Sequence, residues 1–114
     1  YKMAAAQGVP EAQFNLGTMY ENGEGVAESR VDALRWYEQA GARGLVVAQA
    51  ALGSIYSGGV GVSKNYVTAY LWWSLAKSQG YKIAEKNLEI LISRMTAAEK
   101  EEGDALVKNW RRKP

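Results

Sequence analysis

Five short stretches of the chain hold residue types that could do chemistry. Glu99, Glu101, Glu102 and Asp104 form the densest acidic group, the raw material for paired carboxylates or a hard-metal site. Residues this close together on a helix point in different directions, so the group reads as a solvated face. Gly23-Glu24-Gly25 and Gly59-Val60-Gly61 resemble phosphate-cradling loops. Both lack the Lys-Ser/Thr of a P-loop and follow a helical pattern instead of a strand, which makes them helix caps. The adjacent Trp72 and Trp73 could stack on a base or a sugar, but their helical spacing reads as core packing. Arg111, Arg112 and Lys113 are the one dense basic cluster, a solvated tail that also complements a helix C-terminal dipole.

The rest of the composition narrows the chemistry further. The 114 residues include no cysteine and no histidine, which removes disulfides, thiolate nucleophiles, the usual zinc sites and imidazole acid–base catalysis. Asp32 and Asp104 are the only aspartates, so a metal site would need carboxylates alone. No catalytic, cofactor-binding or metal-binding residue is assigned, no cofactor is expected, and the chain is not expected to be an enzyme. A net charge of +2 is too mild to argue for nucleic acid. Hydrophobic residues at 47% and charged ones at 23% belong to an ordinary folded chain. No run approaches the roughly 20 apolar residues of a membrane span.

The elements that position these residues come from an internal repeat. At an offset of 36, Ala12, Gln13, Leu16, Gly17, Tyr20, Gly23, Gly25, Val26, Val31, Ala33, Trp36, Ala40 and Gly44 fall on identical residues from Ala48 to Gly80. Those 13 identities in 36 positions exceed the roughly 2 to 4 that composition alone would give. Each unit reads as helix, turn, helix, turn. Pro10 suits a first helical turn, and Ala12, Leu16, Met19 and Tyr20 follow at helical spacing. Ser29 and Asn65 are candidate N-caps for the second helices. Ala33, Trp36, Tyr37 and Ala40 form one apolar stripe; Ala69, Trp72, Trp73 and Ala76 form the next; Gly44 and Gly80 end them. Gly17 and Gly53 sit in mid-helix, where each costs about 1 kcal/mol against alanine. Their recurrence predicts close approach of the partner helix.

Four segments follow: residues 1–8 as the tail of a preceding unit, 9–44 and 45–80 as repeats, and 81–114 as a partial repeat with a capping helix. In the last, Ala84, Leu88, Leu91 and Ile92 face inward. Thr96-Ala97-Ala98-Glu99 is a capping box opening a final helix that carries Ala105, Leu106 and Trp110. Its polar remainder suits the end of a stack, where one face meets water. Residues 1–8 align with 37–44 and 73–80, so the chain is expected to begin inside a second helix and to be the C-terminal part of a longer protein. The N-terminal face is then expected to be unsaturated, which would allow self-association.

The order Ala-x-x-x-Leu-Gly-x-x-Tyr, Gly-x-Gly-Val, Ala-x-x-Trp, Ala and a closing Gly resembles the Sel-one-like repeat (SLR) family, a relative of the tetratricopeptide repeats. The likeness covers 12–44 and 48–80 with fragments on both sides. The departures are at caps and surface: the family usually has aspartate at Ser29 and Asn65, and lysine at Asp32 and Thr68. The resemblance implies an all-α, right-handed superhelix (solenoid) of antiparallel helix pairs, with a concave surface lined by first helices. It also implies a scaffold or adaptor role, in bacteria often in the envelope, in signalling or in host contact.

In the related tetratricopeptide geometry, certain first-helix positions face the groove. Carried over by the Leu-Gly-x-x-Tyr register, they are Glu11, Phe14, Thr18, Glu21 and Asn22, then Val47, Ala50, Ser54, Ser57 and Gly58, then Ile83, Lys86, Ile90, Ser93 and Arg94. This mixture of apolar and charged groups suits an extended or helical peptide. Phe14 and Ile83 equally fit a role in packing neighbouring helices. The partner expected is another protein or peptide, with Phe14, Glu21, Lys86 and Arg94 in contact with it. Two other functions fit: an element of envelope structure or assembly, and a regulatory appendage of an enzyme encoded upstream in the same chain. The compartment stays open, with periplasm or envelope ahead of cytoplasm.

Overall fold

Six helices of 13 to 16 residues and no strand make up the described part of the chain. They are α1 (Pro10–Asn22), α2 (Arg30–Ala42), α3 (Val46–Gly58), α4 (Tyr66–Ser78), α5 (Lys82–Arg94) and α6 (Ala97–Arg112). The computed structural model describes residues 8–22, 30–58 and 65–112, the side chains at 21, 22, 30, 111 and 112 excepted. The expectations for residues 1–7, the two glycine turns at 23–25 and 59–61, the cap at Ser29 and the basic tail at 111–113 lie outside them. The all-α class of paired helices predicted from the repeat is what these residues form.

The repeat is written into the backbone as well as the side chains. Each first helix opens on the same bond: Gln13 N–H to the Val9 carbonyl, Gln49 to Leu45 and Glu85 to Tyr81, at 3.0, 3.1 and 3.3 Å. Both described second helices close on the same Schellman turn. Gly44 donates to the Gly41 carbonyl at 3.0 Å and Leu45 to Ala40 at 3.1 Å; Gly80 donates to Lys77 at 2.8 Å and Tyr81 to Ala76 at 3.2 Å. Both glycines sit at positive φ, 96° and 87°, a region costly for any residue with a Cβ. Asn65 caps α4 as predicted, its Oδ1 accepting from Thr68 N–H at 3.0 Å. α5 ends without a glycine, and the chain turns into α6 through the predicted box: Glu99 N–H to Thr96 Oγ1 at 3.1 Å, Thr96 N–H to Glu99 Oε1 at 2.8 Å.

Two compact units divide the chain, Tyr1–Leu52 and Gly53–Pro114. In the first, α1 packs on α2. Gln13 meets Gln39, while Gly17 meets Ala33 and Tyr37, so the two helices run antiparallel. Leu16 and Ala12 are buried, with Met19, Tyr20 and Trp36 packed on them. Trp36 is only half-buried, less enclosed than its place in the stripe predicts, because it lies over this small cluster instead of inside it. In the second unit, α4 packs on both α5 and α6. Ala69, Trp72, Trp73, Leu75 and Ala76 are buried, as are Ala84, Leu88 and Leu91 of α5. Trp72 meets Trp110 edge to face, centroids 5.4 Å apart, a geometry that aromatic quadrupoles favour.

Close approach explains the mid-helix glycines. A Cβ on Gly17 would lie 2.8 Å from the Tyr37 ring and 3.2 Å from the Ala33 carbonyl oxygen, and one on Gly53 would overlap the Trp73 indole. The final helix corrects an expectation. Ala105 and Leu106 are exposed; Trp110 does pack inward, on Trp72, and Gly103 joins it on the inward line. A Cβ on Gly103 would lie 2.5 Å from the Tyr70 ring, so the bare glycine sets which face of α6 meets α4.

Candidate functional site

With the cores filled by the recurring residues, the question is what the first-helix positions present. In the first unit, Glu11 is exposed. Phe14 is half-buried against Tyr37, ring centroids 5.3 Å apart. Thr18 donates to the Phe14 carbonyl at 3.1 Å and lies 3.3 Å from the Tyr37 hydroxyl. Phe14 and Thr18 thus serve to seat Tyr37, the packing role allowed for Phe14 in the sequence. Ala50 is half-buried and Val47 exposed. The Glu21 and Asn22 side chains lie outside the described residues.

In the second unit, four predicted positions come together. Ser57, Gly58, Ile90 and Arg94 line a cleft of about 210 Å³ whose wall is completed by Asn87 and Leu91, with Tyr66 and Trp73 from α4. Ser54 and Lys86 are exposed nearby in sequence but do not line it. The Ser57 hydroxyl donates to Ser54 O at 3.2 Å and the Ser93 hydroxyl to Ile90 O at 2.6 Å. Both are turned onto their own helix. Ile83 and Ile90 are 61% and 54% exposed, so both stand mostly in water in this unit. They lie seven residues apart, two turns along one face of α5. Lys86 and Arg94 flank them, and neither is in an ion pair among the described residues.

A second, larger cleft of about 610 Å³ opens between α4, α5 and α6. At its base the Tyr70 hydroxyl donates to Asp104 Oδ1, and Asp104 also pairs with Lys100 at 3.5 Å. Burial, then the hydrogen bond to Asp104 and its negative charge, push the Tyr70 phenol up to about 12, against a weaker opposing pull from Ser74. The group is a protonated donor at any ordinary pH, built for holding α6 and not for proton transfer. Lys77, Lys108, Leu88 and Val107 also line the cleft. No group of three acidic residues among the described residues is placed to hold a metal ion, and no helix among them is long and apolar enough to cross a membrane.

Sequence reasoning missed two features. Gln13 and Gln49 are buried, 1% and 3% exposed. Gln13 Nε2 donates to Gln39 Oε1 at 3.3 Å, and Gln49 Nε2 to the Gly41 carbonyl at 3.0 Å. The signal was present: a polar residue recurring at an inward helical position. The Tyr70–Asp104 bond left no such trace, since it depends on how α6 docks.

Comparison with known proteins agrees with the geometry. The Sel1 repeat pattern matches residues 10–45 and 46–81. A protective antigen present in uropathogenic Escherichia coli strains, displaying an SLR fold, is 34% identical, with a TM-score of 0.88 over 96% of this chain and 24% of that one. A Sel1 repeat protein from Oxalobacter formigenes is 36% identical, with a TM-score of 0.73 over 76% of this chain and 36% of that one. The chain therefore spans about a quarter and about a third of the length of these two structures. No curated protein matches it. Repeats of this kind generally serve as protein-interaction modules and non-catalytic scaffolds. With two units matched across more than half of its length, the chain belongs to the Sel1 repeat family.

Proposed function

We propose that this chain is a protein-binding module whose partner docks in the second unit on the exposed face of α5 and the end of α3, at the cleft lined by Ser57, Ile90 and Arg94. One observation carries the reading. These groove positions leave large apolar side chains in water beside cations that have no ion-pair partner among the described residues, whereas the second-helix positions of the same unit are spent on packing Trp72, Trp73 and Ala76. Isolated exposed apolar residues are ordinary, but two on one helix face adjoining a cleft mark a recognition surface. Size points the same way. Pockets for cofactors and drug-sized ligands run about 300–1,000 Å³, so about 210 Å³ suits one anchoring side chain. The test is site-specific photocrosslinking in the full-length protein within its own cells. A probe at Asn87 should trap a partner that a probe at Lys108, which lines the other cleft, does not. Equal trapping from both positions, or from neither, refutes the groove.

An envelope role is the second reading, favoured by the similarity to a protective antigen of uropathogenic E. coli. An impermeant reagent applied to cells with the outer membrane opened and the inner membrane intact should then modify the exposed lysines Lys82 and Lys86; labelling only after full lysis removes this reading.

A further inference from the structure

The chemistry of the partner follows from the face that would meet it, granting the groove reading above. α5 presents Ile83, Lys86, Asn87, Ile90 and Arg94 within about 100° of arc, at 100° per residue. Both apolar members are more than half exposed. Both charged members are cations without a carboxylate partner among the described residues. The helix's acidic residues, Glu85 and Glu89, fall about 110° or more from the centre of that arc by the same geometry. The cleft continues the pattern: aromatic and aliphatic walls, one cation, and no acidic residue. Arg94 in the last turn of α5 also offsets the helix dipole, yet that alone would not place it on the cleft wall.

We propose that the occupant is a segment of a partner protein carrying acidic residues beside large apolar ones. One apolar side chain enters between Trp73, Ile90 and Leu91. A carboxylate meets Arg94, whose planar fork suits carboxylates, and a second apolar–acidic pair lies along Ile83 and Lys86. A nucleic acid would present phosphates at every step and find only two cations and two isoleucines. A basic segment would leave both cations opposed by like charge.

A phage-displayed library of random 16-residue peptides, selected on the whole protein and sequenced, tests this. The recovered peptides should hold more Asp and Glu than Lys and Arg, with at least one Leu, Ile, Phe or Trp each. Binding of a recovered peptide should fall about tenfold in K86E/R94E, a double variant at two exposed positions that should keep the wild-type melting temperature, and about tenfold between 0.05 and 0.5 M salt. I90D should abolish it. Neutral or basic peptides crosslinking at Ile90 would overturn the chemistry while leaving the groove reading intact. Acidic peptides that bind K86E/R94E as well as wild type overturn it too, and if they crosslink beside Lys108 the groove reading falls as well. An empty selection beside a control domain that yields binders also counts against it.

Discussion

Replacing Gly53 by alanine sets two effects of opposite sign against each other. In a helix interior the change should stabilise by about 1 kcal/mol through propensity alone. The new methyl, however, would overlap the Trp73 indole, and Trp73 is buried. Overpacking of this kind costs about 1–3 kcal/mol. The overlap involves three ring atoms at once, so the ring must move bodily and the upper part of that range applies. The net expectation is a loss of about 1–2 kcal/mol, or about 5–10 °C in Tm for a chain of this size. Thermal unfolding by circular dichroism measures it directly. A second variant separates clash from any other cause: in a W73L background the overlap is gone, and G53A should then stabilise by about 1 kcal/mol. Gly17→Ala should cost less, because its methyl would press on Tyr37 from 2.8 Å, a milder overlap. A Tm for G53A at or above wild type would refute the claim that helix approach explains the recurring glycine.

Gly80→Ala meets nothing within 4 Å but is held at φ 87°, so it should destabilise by about 1–2 kcal/mol through the backbone alone, measurable by urea unfolding. Asn65→Ala removes the side chain that caps the start of α4 and should cost about 1 kcal/mol, with α4 amides near Thr68 exchanging hydrogen faster. Tyr70 gives a pH signature. Its pKa rises from 10.0 to about 12 on folding, so between those values the unfolded chain has lost a proton that the folded one keeps. Stability is therefore full below pH 10 and falls as pH climbs toward 12. The hydroxyl borders an open cleft, so screening should hold the loss to about 1 kcal/mol. The Tm difference between wild type and Y70F should shrink over that window; a constant difference would refute the assignment.

What the sequence made legible was whatever repeats. Gly44 and Gly80, the Asn65 cap and the Gly17–Gly53 pair were readable because each is a local requirement of backbone or spacing, met twice. Thr96 and Glu99 were readable because a capping box is complete within four residues. α6 was less so. It has no counterpart at an offset of 36, so its inward face depended on docking, and Gly103 replaced Leu106 as the point of contact. Among the groove positions, Ile90 and Arg94 follow from register, but Tyr66 and Trp73 enter the same cleft from a different helix. No count along α3 or α5 could have supplied them.

The amide of Gln49 bears on how such an array assembles. Near-identical units invite mistakes: a helix displaced by one turn would still present alanine and leucine to a surface of alanine and tryptophan. Hydrophobic attraction has no direction and would tolerate the error. A buried carboxamide does not, because its donor reaches one carbonyl, that of Gly41, and a displaced helix would strand it in a dry place at about 1–3 kcal/mol. The correct seating of the start of α3 on the end of α2 is thereby told apart from its near misses by a single residue that contributes little to the depth of the energy well and much to its uniqueness.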